Sequence, residues 1–172
     1  MQRQATKHAR PPTARYLCVD LGAEHYAIPI LAVREIQAYV APTPLPRAPA
    51  HVRGVTNLHG DIVPVVDLRL RVGMSEQRYG RLTVIVFVTV DRQVVGLIVD
   101  AASRVIDLEA AQVRPPPEMS DGVDVSFIAG LAKAGDLVTV VLDVEALLRG
   151  DRALASSVVD ASPAPAEHRR DS

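Results

Sequence analysis

Two stretches of this chain spell the same pattern, and that duplication limits its fold more than any single motif. A shift of 69 residues lays Tyr16–Leu21 on Ile85–Val90 and Ala27–Ile30 on Gly96–Val99. The same shift lays Val33 and Ile36 on Ala102 and Val105. Shifts of 76 and 75 place Gly54 on Gly130 and Gly60-Asp-Ile-Val63 on Gly135-Asp-Leu-Val138. Each half reads strand, turn, strand, short helical turn, proline loop, glycine turn, strand. The pattern predicts a mainly β fold of two similar small barrels that share a core, since neither is large enough to be stable alone. A groove is expected between them, with Gly54, Asn57 and Gly96 near it.

The strand candidates are Tyr16–Leu21, Tyr26–Ile30, Ile62–Leu68, Thr83–Val90, Val94–Val99 and Leu137–Leu142. All are rich in β-branched residues and bounded by Gly, Asp or Pro. Asp91-Arg92-Gln93 reads as a hairpin turn. Pro64 cannot donate to a ladder, so it is expected on an edge or at a bulge. Leu31–Ile36 and Ala101–Val105 read as helical turns, and Asp143–Leu148 as a short C-terminal helix with Asp143 as its N-cap. Residues 1–14 read as a disordered arm and 150–172 as a flexible tail.

The search for reaction chemistry finds no site. With 48% hydrophobic and 23% charged residues the composition is that of a soluble globular protein, and the 3% aromatic content leaves the core to Val, Leu, Ile and Ala. A net charge of −1 and the lack of an aromatic-studded basic stripe argue against nucleic acid. The longest apolar stretch, Leu82–Val90, is well short of the roughly 18 residues of a membrane span. Cys18 is the only cysteine and sits between apolar neighbours, so it reads as a small buried residue. The histidines (8, 25, 51, 59 and 168) lack metal-ligand spacing, and nucleotide and serine-hydrolase fingerprints are missing. Asp67, Asp100 and Asp143 end strands, where a turn or cap role is the plainer reading. No catalytic residue, cofactor or metal is expected.

The run Val52–Leu68 carries two glycines around a short polar segment, followed at once by a β-branched strand. Together with Tyr26–Ile36, Val95–Asp100 and Arg114-Pro115 it resembles the CheW family of chemotaxis coupling proteins, over roughly residues 16–149. The resemblance implies two SH3-like five-stranded β-barrel subdomains packed together, with short helices. They span 15–149 and are divided by the repeat at about 15–80 and 81–149.

It also implies a non-catalytic, cytoplasmic adaptor recruited to membrane-associated receptor arrays. Its partners would be the cytoplasmic tips of chemoreceptors and the regulatory domain of the histidine kinase CheA, without membrane insertion. Val33, Gly54, Asn57, His59, Val84, Gly96 and Val105 would line or support the receptor-facing groove, and Glu35, Arg114 and Met119 would meet the kinase. Three positions depart from the family pattern: His59 for arginine, Met119 for phenylalanine and Ala102 for valine. An imidazole at 59 is expected to weaken a contact to an acidic receptor residue, or to make it pH-dependent. Two other readings keep the fold: an adaptor of a pathway governing pili or gene expression, and a double barrel that binds a small ligand.

Overall fold

A computed structural model describes residues 12–118 and 124–151. Ten strands form two five-stranded sheets. Strands β1 (Thr13–Leu21), β2 (Glu24–Pro29), β8 (Ala101–Glu109), β9 (Ile128–Ala134) and β10 (Leu137–Leu142) make the first sheet. Its order is β8-β1-β2-β10-β9. Strands β3 (Val33–Ala38), β4 (Val52–Leu58), β5 (Asp61–Asp67), β6 (Val84–Val90) and β7 (Gln93–Val99) make the second, in the order β3-β6-β7-β5-β4. The mainly β expectation holds.

The duplication survives to single-residue detail. Applying the repeat to one sheet order yields the other. Val33 pairs with Val88, and Ala102 with Val19; Ile36 pairs with Val86, and Val105 with Leu17. The β2–β10 and β5–β7 pairs are both parallel, and Ala27 opposite Val141 matches Gly96 opposite Val65. Asp67 and Asp143 both cap short helices, α1 (Leu68–Arg71) and α2 (Val144–Leu147), by accepting from Leu70 and Ala146 amides. The sheets do not follow the halves 15–80 and 81–149, however. Each takes the first two strands of one half and the last three of the other, so one lobe is the continuous segment from β3 to β7.

That exchange decides where the core lies. Successive residues of a strand face opposite ways, and here both faces are apolar. Val86 and Val88 join Leu17, Val19, Tyr26, Ile28 and Leu97 in a core between the sheets. Ile85 and Phe87, the alternate residues, pack inside the second sheet with Leu58, Val65 and Ile98. Ala27, Leu108, Ala132 and Val141 fill the first. An ion pair adds to the junction: the buried Arg69 guanidinium grips Asp100, which also accepts from the Gly22 amide at 2.6 Å. Burial opposes charge on Asp100, yet the Arg69 and Gly22 hydrogen bonds outweigh it and hold the carboxyl below its ordinary pKa. Its contribution to stability is present above the ordinary carboxylate range and lost as pH falls through the depressed value.

Four strands differ from the sequence reading. Val33–Ala38 and Ala101–Glu109 are edge strands, and only Ile30–Ala32 makes a helical turn there, of 3-10 type. The reason is a bulge in each, at Arg34 and Ser103. The extra residue brings Val33 and Ile36, or Ala102 and Val105, onto one face at a spacing of three, which imitates a helical period. Strands β4 and β9 were hidden by Gly54 and Gly130 near their centres. Pro64 lies on neither an edge nor a bulge. It stands opposite Val55, whose amide and carbonyl both bond Thr43, and it precedes the β5–β7 pairing that starts at Val65. No donor is demanded of it. The Asp91-Arg92 hairpin is as expected, with φ of 48° and 66° at the two turn residues. The expected disordered arm (1–14) and flexible tail (150–172) lie mostly outside the described residues; where they overlap them, Thr13 and Ala14 belong to β1 and Asp151 is buried.

Gly54 and Gly130 share one purpose. A Cβ on Gly54 would stand 1.9 Å from the Thr43 carbonyl oxygen, and one on Gly130 2.5 Å from Val113 and 2.7 Å from the Arg114 carbonyl oxygen. Each lets the segment that bridges one sheet edge to the other, Thr43 to Val55 and Arg114 to Leu131, cross directly above the strand. Gly54→Ala is therefore expected to cost about 3 kcal/mol or more, because backbone must move. Gly60→Ala meets no atom and carries only the strain of its φ of 95°, about 1 kcal/mol. Denaturant unfolding of the two variants checks the order; equal losses would contradict the packing role.

Candidate functional site

The residues assigned to partner contacts fall into three places. The first is the β4–β5 turn. Asn57 Oδ1 accepts from the Gly60 amide at 2.8 Å, which tightens the turn and leaves His59 at a φ of 52°. From there His59 Nε2 lies 2.8 Å from Glu35 Oε2 on the edge strand β3. A residue assigned to the receptor and one assigned to the kinase thus touch each other. The Glu35 carboxyl is held below its ordinary pKa by the hydrogen bond with His59 and by a second from Gln37. The acidic group facing His59 is on its own chain.

The second place is the margin of the core between the sheets. Val33 and Val84 are half-buried and pack against that core. Val105, on β8, keeps 51% of its surface exposed, and its repeat equivalent Ile36, on β3, keeps 43%. Sequence reasoning assigned Val105 and missed Ile36, although the 69-residue shift relates them. It also missed Val40 and Leu82, which are exposed just beyond the β3–β6 ladder, where the Tyr39 amide bonds the Thr83 carbonyl. Gly54 and Gly96 are buried and line no surface. A Cβ on Gly96 would stand 2.8 Å from Ile85 and 3.1 Å from Phe87, inside the second sheet. Their service to any surface is indirect, through close packing beneath it.

The third place is the Arg114 segment of the other lobe. Arg114 exchanges two backbone hydrogen bonds with Leu131, of 2.9 and 2.7 Å, and its side of the lobe holds a depression of about 740 Å³. Pro115, Pro117, Leu131 and Val138 contribute apolar walls and Lys133 a second cation. Met119 lies outside the described residues.

Several other polar groups pair within the fold. His25 pairs with Asp20 and His51 with Asp151, both at 2.7 Å. Asp20 faces His25 across the β1–β2 hairpin, whereas Asp151 is 100 residues from His51 and beyond the reach of any local motif. Cys18 is buried, and burial raises its thiol pKa. Among the described residues no group of three or more His, Cys, Asp or Glu is placed to hold a metal, and no helix is long and apolar enough to cross a membrane. What the surface offers is apolar edge strands with a few fixed charges, which suits contact with other proteins.

Two pseudo-equivalent five-stranded lobes around one core, with their apolar edges exposed, define a double-lobed protein-interaction module. The family model for the CheW-like domain matches residues 15–152. The chain is 37% identical over 136 residues to the chemotaxis protein CheW of Klebsiella aerogenes, covering 79% of this chain and 82% of that protein. It is 35% identical over 138 residues to chemotaxis protein CheW of Rhizobium meliloti, covering 80% and 89%. The scaffolding protein TtCheW of Thermoanaerobacter tengcongensis superposes with a TM-score of 0.73 at 30% identity, over 86% of this chain and 94% of that one. The chain belongs to the CheW family.

The Glu35–His59 contact gives a direct expectation. Glu35 should titrate below the ordinary carboxylate range when followed by carboxyl-carbon NMR, and in His59→Ala its pKa should move upward. An unmoved value would show that the imidazole does not hold the carboxylate.

Proposed function

We propose that this chain is a non-catalytic adaptor that couples chemoreceptor cytoplasmic tips to the histidine kinase CheA. It works in the cytoplasm, at membrane-associated receptor arrays. The observation that carries this reading is the pair of exposed apolar edge strands, with Val105 and Ile36 at matching positions on the two lobes. Membership of a family whose relatives are named as chemotaxis and scaffolding proteins supports it.

In this reading Val33, Val84 and Val105 supply apolar contact area to the receptor, while Asn57 shapes the turn beside them. Gly54 and Gly96 support that face from within. Glu35 orders the edge toward one kinase contact, and Arg114 with Met119 serves a second on the opposite lobe. Because Glu35 already answers His59, the family's arginine contact at this position is replaced by an internal pair. Affinity then rests on burial rather than charge.

Val105→Ala is the informative variant, since an exposed valine can be trimmed without disturbing the core. Loss of its buried area should cost about 1.4 kcal/mol, roughly a tenfold rise in the Kd for a receptor cytoplasmic fragment. Arg114→Ala should weaken binding of the CheA regulatory domain and leave receptor binding alone. Isothermal titration with each partner reads both. An unchanged receptor Kd in Val105→Ala, or an Arg114→Ala defect that falls on the receptor instead, would contradict the assignment.

A further inference from the structure

The duplication gives each lobe an internal reference in the other, and their interiors differ at one end. In the lobe of β3 to β7, Phe87 and Val63 are buried in the interior cluster and Val94 packs against it. The repeat puts Cys18 where Phe87 is and His25 where Val94 is. Val141 stands where Val65 does, so Thr139, two residues earlier, takes the place of Val63. Three apolar groups have become a thiol, an imidazole and a hydroxyl. Where a phenyl ring fills one lobe, the other holds a pocket of about 230 Å³, lined by Cys18, Asp20, His25, Arg104, Leu137 and Thr139. At roughly 30 Å³ of liquid per water, that is the space of about seven waters.

The fold answers some of these polar groups and leaves two unanswered. Asp20 is taken, with its Oδ1 2.7 Å from His25 Nδ1. The Ser103 hydroxyl at the rim donates to the Cys18 carbonyl oxygen at 3.4 Å. Thr139 is only 2% exposed, yet among the described residues its hydroxyl has no hydrogen-bond partner, and its side chain lines the pocket. Buried polar groups are nearly always partnered in native structures. Arg104 stands opposite Cys18 across the β1–β8 ladder, and its guanidinium donates to the Cys18 sulfur. Among the described residues no carboxylate pairs with Arg104, whereas its counterpart Glu35 has His59. Burial favours the neutral Cys18 thiol, so no thiolate offsets the guanidinium.

One cation and one hydroxyl therefore face the pocket beside the apolar Leu137. We propose that the pocket binds a small organic monocarboxylate, held by the Arg104 guanidinium and the Thr139 hydroxyl, with its short carbon chain laid against Leu137 and Cys18. A guanidinium forks onto a planar carboxylate through two parallel hydrogen bonds and still has donors to spare. One cation matches one negative charge, and Asp20 on the same wall repels a dianion more strongly than a monoanion.

The repeat also supplies the control variant. Thr139→Val installs the side chain that the other lobe carries at this place, so it removes the hydroxyl and keeps the shape. Sodium butyrate is titrated into the full chain, with butyramide and inorganic phosphate as parallel probes. The amide NMR signals of Cys18, Arg104 and Thr139 are followed. Butyrate should shift them saturably, butyramide should leave them in place, and phosphate should bind more weakly than butyrate. Thr139→Val and Arg104→Gln should each weaken butyrate binding by about tenfold or more, the loss expected for a hydrogen bond to a charged group. Thr139→Val should unfold at no lower denaturant concentration than the parent, because no bond within the fold is lost. Five results would each overturn the proposal: no saturable shift with butyrate, equal binding of butyramide, tighter binding of phosphate, unchanged butyrate affinity in Thr139→Val, or earlier unfolding of that variant.

Discussion

The structure depends on one act of shared burial. Strands β1, β2, β6 and β7 have apolar side chains on both faces, and one face of each pair of strands goes into the core between the sheets. Each lobe spends its other face on its own small interior. Burying both faces removes more apolar surface from water than two separate barrels of this size can. It also fixes the relation between the lobes, because the core that holds them together is the largest of the three. The Arg69–Asp100–Gly22 contact adds a polar pin to the junction.

This arrangement separates stability from recognition. The central strands are committed to packing, and the apolar residues left exposed at the edges include Ile36 and Val105 at equivalent positions and Val40 and Leu82 on one lobe alone; Ile62, Leu137 and Val138 are exposed where β5 and β10 begin. An adaptor needs surfaces that stay put while different partners engage them, and edge strands backed by a two-sided core meet that need. Buried glycines belong to the same logic. Gly54 and Gly130 let a crossing segment lie flat against the sheet, so a change at either would reach the surface by displacing backbone.

Much of the fold was legible because the chain states it twice. Runs of β-branched residues bounded by Gly, Asp or Pro mark six strands, and the repeat implies a shared core. What escaped had physical causes. Bulges at Arg34 and Ser103 gave two edge strands a three-residue apolar spacing that reads as helix. Gly54 and Gly130 sit inside strands and look like turn residues. The strand exchange between halves is a long-range event with no local signature, so a division near residue 80 was the natural reading. At the candidate surface, resemblance located Val105, Glu35 and His59, but only the fold brings Glu35 and His59 into contact across 24 residues. It also shows Gly96 packed against Ile85 and Phe87 rather than facing a partner.

The claim that the lobes exist only through their common core can be tested on the lobe that is continuous in sequence. Residues 33–99 contain all five strands of the second sheet and its internal cluster. Expressed alone, that segment should lack dispersed methyl resonances and cooperative unfolding, because Val66, Val86, Val88, Leu97 and Val99 would face water. A folded monomer with a sharp unfolding transition would contradict the account.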